Sequence, residues 1–175
     1  DAARASAVIT SSGLHPSIME LIGESAMAVI SEYLGLEHPG GSRLIVQTDG
    51  PGAEVEAQAA VSIIRSLGGT AELTVDREQS ERLFAIRRSF HPAMSELGTV
   101  LIEDVCVPRS ALPAMFAAIG DIEQRYDLTI RCVAHAGDGN LHPNFVYQGD
   151  TVPDAIWAAA DEMFLAALRL GGTLT

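Results

Sequence analysis

Apolar residues recur at helical spacing in several stretches of the chain. In the first stretch, Ile18, Ile22 and Val29 share one face of a helix that ends at Gly35. In the last stretch, the side chains that we expect to face the core are Ile156, Trp157, Met163, Phe164 and Leu168. The pattern predicts helices over residues 16–34, 54–67, 76–89, 110–126 and 153–170.

Shorter apolar runs between these helices indicate strands over residues 43–48, 70–75 and 99–107. The sequence Leu-Gly-Gly-Thr follows the helices at 54–67 and 153–170, and each copy leads into a strand-like segment. This repeat predicts an α+β, ferredoxin-like fold, in which an antiparallel sheet has its helices packed on one face. The open face would form a substrate or metal site, covered by another domain or a partner subunit.

The stretch 135–143 predicts a β-hairpin because Asp138-Gly139 is a strong two-residue turn signal. With that turn centre, His135 stands directly opposite His142, and their Cβ atoms are about 4.5–5.5 Å apart. Because side chains alternate in direction along a strand, the two arms have an apolar face and a second face that holds the candidate site residues. The second face holds Arg131, Val133, His135, His142, Asn144 and Val146, and the apolar face holds Cys132, Ala134, Ala136, Leu141, Pro143, Phe145 and Tyr147.

Composition narrows the class of protein. The chain has 175 residues and a formal net charge of −12, which argues against nucleic-acid binding because that depends on clustered Lys and Arg. No run reaches the roughly 18 uncharged apolar residues of a membrane span. Cys106 and Cys132 lie in apolar runs and are interpreted as buried thiols in a reducing compartment. These features predict a cytoplasmic protein of one domain.

The two histidines suit a metal ion such as Zn²⁺, but a zinc site needs three or four ligands. Candidates for a further ligand are His91, Glu103, Asp104 and Asp138. The alternative interpretation of His135 and His142 is a polar cross-strand pair on a solvated face. Arg87 and Arg88 end a predicted helix, where cations commonly complement the helix dipole.

The segment His-Ala-Gly-Asp-Gly-Asn-Leu-His-Pro-Asn at 135–144 resembles the metal-site motif of the FAD-linked oxidase C-terminal domain. That domain occurs in the glycolate oxidase flavoprotein subunit, in D-lactate dehydrogenases and in D-2-hydroxyglutarate dehydrogenase. The resemblance extends to residues 45–50, to Phe-Ala-Ile-Arg-Arg at 84–88 with Pro92, and to residues 102–109. It therefore spans nearly the whole chain.

The resemblance implies a role for each of four residues in this chain. His135 and His142 are similar to the two metal-ligating histidines, Arg87 to the Arg that pairs with the substrate carboxylate, and Asn144 to a substrate-contacting Asn. The family's third ligand and catalytic base lie in a Gly-Glu-His-Gly segment that would begin after Thr175, so no catalytic residue is expected within this chain.

The resemblance also implies that residues 1–175 are a C-terminal substrate (cap) domain, truncated at both ends, of an FAD-dependent 2-hydroxy-acid dehydrogenase or oxidase. FAD is expected to bind mainly to the absent N-terminal domain, so that the fragment alone is predicted to be inactive. The expected partners are a small 2-hydroxy acid, the protein's own FAD-binding domain and a divalent metal, with Zn first. The resemblance names no electron acceptor.

Two departures from the family pattern bear on the substrate. Where D-2-hydroxyglutarate dehydrogenases have a Thr four residues after the Arg and a Lys before the Asp, this chain has His91 and Ile102. A monocarboxylate such as glycolate or D-lactate is therefore expected rather than a dicarboxylate. Two functions from other classes stay open: a non-catalytic ferredoxin-like binding or assembly module, and a stand-alone metal-dependent hydrolase.

Overall fold

The computed structural model describes residues 2–37 and 40–174. In this part of the chain seven strands form one sheet in the order β2-β1-β5-β6-β4-β7, and β3 also pairs with β6. Every strand pairing is antiparallel. The strands are Ile18–Ile22 (β1), Arg43–Gln47 (β2), Thr99–Ile102 (β3), Val105–Cys106 (β4), Ile130–His135 (β5), Asn140–Tyr147 (β6) and Thr173–Leu174 (β7).

Helices connect the strands and pack on the sheet, which confirms the predicted α+β class with an antiparallel sheet. The helix 76–89 begins as expected, because the backbone N–H of Gln79 donates to the side chain of Asp76 at 2.8 Å. The helices are Ala2–Ser11 (α1), Glu24–Leu34 (α2), Ala53–Ser66 (α3), Arg77–Arg88 (α4), Phe90–Ser95 (α5), Leu112–Tyr126 (α6) and Asp154–Arg169 (α7).

The larger hydrophobic core lies on the face of the hairpin that was predicted to be apolar. Leu141 and Phe145 are buried there against residues of α1, α6 and α7. Cys132 belongs to the same core, and burial raises the pKa of its thiol. Both cysteines are free thiols, and Cys106 is only half-buried.

A second, smaller core lies on the histidine face, where no helices were expected. Ile22 and Val133 of the sheet pack there with Ile30 of α2 and with Phe90 and Met94 of α5. Helices therefore cover both faces, and the prediction that they pack on one face only is corrected. The part of this face beyond α2 and α5 is the open part, and it includes the two histidines.

The predicted helix 16–34 is a strand followed by a helix. Short apolar runs suit both structures. β1 ends at Ile22, and the N–H of the following residue, Gly23, donates to the carbonyl of Cys132 at 2.9 Å. A Cβ atom on Gly23 would lie 2.8 Å from that oxygen, so the close approach of the two backbones requires glycine. Neighbouring strands thus decide the structure of residues 18–22.

Residues 70–75 have no regular secondary structure and pair with no strand of the described chain. Leu73 and Val75 are exposed there, by 45% and 91%, so these two apolar side chains are not part of the core. The predicted strand 70–75 is therefore wrong, and of the two Leu-Gly-Gly-Thr segments only the second leads to a strand. The predicted strand 99–107 is interrupted at Glu103 and Asp104, which separate β3 from β4.

The inward face of α7 differs from the prediction. Ile156 and Met163 are buried as expected, whereas Trp157 and Leu168 are about half exposed, at 49% and 52%. Phe164 is only partly buried against the core. Small residues occupy the buried face instead and let α7 pack closely on α6; they are Ala159, Ala160, Ala166 and Ala167.

Candidate functional site

The hairpin between β5 and β6 has a four-residue connection, 136–139, rather than the predicted two-residue turn. His135 pairs with Asn140, and His142 pairs with Val133. The carbonyl of His135 accepts hydrogen bonds from the N–H groups of Asp138 and Gly139, both at 3.0 Å. The pairing thus differs from the prediction by two residues. A two-residue shift preserves the alternation, so both histidines still lie on one face.

The histidine rings approach each other diagonally across the hairpin. Their centroids lie 5.0 Å apart, and the ring planes are inclined at 84°. His135 directs Nδ1 to Oε1 of Glu20 at 2.5 Å, and His142 directs Nδ1 to a carboxylate oxygen of Asp104. A carboxylate at Nδ1 favours the tautomer that is protonated there and leaves the lone pair on Nε2. The hydrogen bonds described for each ring therefore involve Nδ1 alone, a contact that metal-ligating histidines commonly make with a carboxylate.

Arg87 and Arg88 are adjacent on α4 but have different environments. The Nε atom of Arg87 lies 2.9 Å from Oε2 of Glu20, and both side chains are largely buried, with 17% and 13% exposed. Arg88 pairs with Glu81 at 3.2 Å, and those side chains are 64% and 65% exposed. The position of Arg88 is explained by its favourable interaction with the helix dipole at the end of α4. Arg87 instead faces the sheet, where Glu20 is its partner.

A cavity of about 170 Å³ lies between α4, α5 and the histidine face of the sheet. It contains three of the four predicted site residues: Arg87 comes from α4, and His142 and Asn144 come from β6. Asn144 is almost fully buried, at 1% exposed, and its side chain donates to the carbonyl of His142 at 2.8 Å. The lining consists of Arg87, Phe90, His91, Ile102, Val133, His142 and Asn144.

His135, the fourth predicted site residue, does not line this cavity but lies beside it through its ring contact with His142. Asp104, a candidate metal ligand, contacts the Nδ1 side of His142 instead. Glu103 is not part of the cavity lining; burial raises the pKa of its carboxyl group, and the carboxylates of Asp104 and Asp161 raise it further.

Glu20 was not among the predicted site residues, although it contacts both His135 and Arg87. It belonged to a predicted helix, so nothing connected it with the hairpin. The only signal was a single carboxylate within the apolar run Ile18–Ile22. In the sheet it lies opposite His135. One of its carboxylate oxygens contacts His135, and the other accepts a hydrogen bond from Arg87.

The described residues contain no group of three His, Cys, Asp or Glu side chains that could hold a metal ion. His135 and His142 would supply two of the three or four ligands of a zinc site. These residues therefore fit part of a metal site rather than a complete one.

Residues 1–175 match the model of a family described as FAD linked oxidases, C-terminal domain. The chain belongs to this family. The match covers the hairpin, α4 and the strands that line the cavity, so it confirms the resemblance on which the site was assigned. Among the described residues, no helix combines the length and the apolar character that a membrane crossing requires.

The relatives of the chain include the glycolate oxidase subunit GlcD of Bacillus subtilis (strain 168), 32% identical over 91% of this chain and 36% of that protein. GlcD of Escherichia coli (strain K12) is 24% identical over 95% of the chain and 35% of that protein. D-lactate dehydrogenase of Archaeoglobus fulgidus is 26% identical over 69% of the chain and 27% of that protein. The chain thus spans about a third of the length of the two glycolate oxidase subunits.

A solved structure of alkyldihydroxyacetonephosphate synthase shares the fold. Its TM-score is 0.60, and the match covers 98% of this chain and 37% of that one. The sequence identity is 15%, so this likeness concerns the fold alone.

Proposed function

We propose that the chain is the substrate-binding C-terminal domain of an FAD-dependent enzyme that oxidises a small 2-hydroxy acid, of the glycolate or D-lactate type, to the 2-keto acid. The observation that carries the proposal is the convergence of Arg87, His142 and Asn144 on one cavity. Relatives named glycolate oxidase subunit and D-lactate dehydrogenase support the substrate class. A cytoplasmic location stays a prediction.

Arg87 has the geometry of a carboxylate-binding residue. Glu20 occupies Nε, and within residues 2–37 and 40–174 the structure records no hydrogen-bond partner for the two terminal nitrogens. Two parallel N–H groups of a guanidinium match the two oxygens of a carboxylate. Because Arg87 lines the cavity, a 2-hydroxy acid bound there would place its carboxylate at the guanidinium and its hydroxyl toward His142 or Asn144.

The size and charge of the cavity favour a small monocarboxylate. Its volume of about 170 Å³ is below the roughly 300–1,000 Å³ of pockets that hold drug-sized ligands. Arg87 is the one arginine or lysine in its lining, and Ile102 places an apolar side chain there. A second substrate carboxylate beside Ile102 would find no arginine or lysine partner among the other residues of the lining.

FAD and a divalent ion complete the proposed enzyme. When bound, FAD accepts the hydride and a divalent ion lowers the pKa of the substrate hydroxyl. FAD is assigned to the part of the protein outside this chain. The residues of this chain would bind and orient the substrate and the ion. Arg87 would hold the substrate carboxylate and Asn144 would fix the acid in the cavity, while His135 and His142 would provide two nitrogen ligands for the divalent ion.

An anaerobic reduction experiment tests the proposal without knowledge of the electron acceptor. The complete flavoprotein is mixed with D-lactate or glycolate, and the absorbance of oxidised flavin is followed. We expect at least one of these acids to bleach the flavin, with release of an equivalent of 2-keto acid. Acetate, which lacks the hydroxyl, serves as the control. Flavin that stays oxidised with every small 2-hydroxy acid tested would refute the proposed reaction.

We expect the 175-residue chain to bind Zn²⁺ only weakly, because two histidines supply half of a tetrahedral site. Titration calorimetry should give a dissociation constant well above the nanomolar range, and His142→Ala should abolish the remaining heat. His15→Ala is the matched control, because His15 does not line the cavity. Nanomolar affinity, or unchanged binding by His142→Ala, would contradict the two-histidine assignment.

Ile102→Lys should shift the acid preference toward dicarboxylates, because it places a cation in the cavity lining near Arg87. A charge-assisted hydrogen bond contributes about 1.5–3 kcal/mol, so kcat/KM for D-2-hydroxyglutarate should rise about tenfold or more relative to D-lactate. Ile102→Met, which is of similar size and uncharged, is the control. An unchanged ratio for the lysine variant would place the distal end of the substrate elsewhere.

A further inference from the structure

We propose that Glu20 is a positioning residue that holds Arg87 and His135 in the orientations required to bind the acid and the metal ion. The proposal rests on the proposed function and adds a residue to it. One carboxylate would thereby control both halves of the site, although it lies outside the cavity lining.

The position of Glu20 follows from the alternation of β1. Met19 and Leu21 are buried in the larger core, so Glu20 projects from the opposite face, the histidine face. On β5 its cross-strand partner is His135, so the two side chains are neighbours on the same face. Burial of the Glu20 side chain, which is 13% exposed, keeps bulk water from competing for its oxygens.

The two oxygens of Glu20 have different partners. Oε1 lies 2.5 Å from Nδ1 of His135, and Oε2 accepts from Nε of Arg87 at 2.9 Å. Arg87 needs such an anchor because α4 contains no fully buried residue. Its Phe84 and Ile86 pack only partly against the smaller core. The Glu20–Arg87 pair therefore joins the end of α4 directly to the sheet.

Each of these contacts selects the functional orientation of its partner. With Nε occupied, the terminal nitrogens of Arg87 are left for a ligand carboxylate. With Nδ1–H donated to Glu20, the lone pair of His135 lies on Nε2, the atom available to a metal ion. Loss of the carboxylate would disturb acid binding and metal binding together.

Glutamine at position 20 tests this dual role because its amide has one acceptor oxygen and one donor nitrogen. If the amide oxygen of Glu20→Gln accepts from Arg87, its NH₂ group faces Nδ1 of His135, which can accept from it only if the ring proton moves to Nε2, the atom that would otherwise bind the metal ion. Glu20→Asp keeps two acceptors with a side chain that is shorter by one methylene. The control is Glu81→Gln, which makes the same change of charge at the exposed partner of Arg88.

The experiment uses the complete flavoprotein and measures the zinc dissociation constant by calorimetry, KM and kcat for D-lactate, flavin content and the midpoint of thermal unfolding. We expect Glu20→Gln to weaken zinc binding about ten- to a hundredfold and to raise KM about tenfold. Flavin content should stay normal. Glu20→Asp should lie between Glu20→Gln and wild type, and Glu81→Gln should match wild type within about twofold.

Wild-type zinc affinity and KM in Glu20→Gln would overturn the proposal. If Arg87→Lys or His142→Ala is impaired in the same assays, the proposed function still stands. Wild-type protein that neither oxidises the acid nor binds zinc through His142 would refute the proposed function itself. Should Glu20→Gln lose flavin or unfold early, Glu20→Asp decides: raised KM and weaker zinc binding at normal flavin content support the proposal, and wild-type values overturn it.

Discussion

Arg87→Lys should lower kcat/KM of the complete enzyme for D-lactate or glycolate by about ten- to a hundredfold while flavin content stays normal. Lysine keeps the positive charge but loses the planar arrangement of N–H groups. Arg87 uses Nε for Glu20 and offers its terminal nitrogens to the cavity. A single ammonium group cannot reproduce both contacts at the same positions. Steady-state kinetics with both acids measure the effect.

Arg88→Lys is the matched control. It lies on the same helix one residue later, which turns its side chain by about 100°, and its ion pair with Glu81 is exposed. Exposed pairs contribute little, so kcat/KM should be nearly unchanged. A large loss of kcat/KM in Arg88→Lys would mean that Arg88, not Arg87, holds the substrate carboxylate. Wild-type kinetics in both variants would place the substrate carboxylate elsewhere.

The hairpin shows which part of a strand pairing a sequence determines. Apolar and polar alternation identified the faces correctly, because the larger core needs one face to be apolar. The register was wrong because it depends on contacts outside the hairpin. Gly137 donates to the carbonyl of Met19 at 3.2 Å, and the carbonyl of Gly139 accepts from Val107 at 2.9 Å. These partners are distant in the sequence, so local turn preference did not reveal them.

The same distinction applies to the site. Arg87, His142 and Asn144 were assigned from a motif resemblance, and the fold brings them to one cavity. Glu20 was missed because its role depends on the pairing of β1 with β5, whose residues are over a hundred positions apart. Residues that belong to a motif can be assigned from their sequence neighbours. A residue whose partners are distant in the sequence, such as Glu20, is recognised only when the sheet is assembled.

Gly139→Ala should destabilise the domain strongly. Gly139 has a φ of +83°, and a Cβ atom there would lie 2.1 Å from the carbonyl oxygen of Val107. Left-handed backbone costs a residue with a Cβ about 1–2 kcal/mol. The overlap with rigid backbone adds about 1–3 kcal/mol. The sum is a large share of the roughly 5–15 kcal/mol that stabilises a typical domain.

Gly13→Ala separates these two contributions. Gly13 has a similar φ of +77°, but a Cβ atom there would have no neighbour within 4 Å. Gly13→Ala should therefore be destabilised only by the cost of the left-handed backbone. Its urea midpoint should fall much less than that of Gly139→Ala, and the slope of the transition should be unchanged. Because Gly139 is at the tip that joins His135 to His142, Gly139→Ala should also weaken zinc binding, whereas Gly13→Ala should not. Equal midpoints for the two variants would show that the tip moves freely away from Val107, and the hairpin would then hold its histidines without that contact.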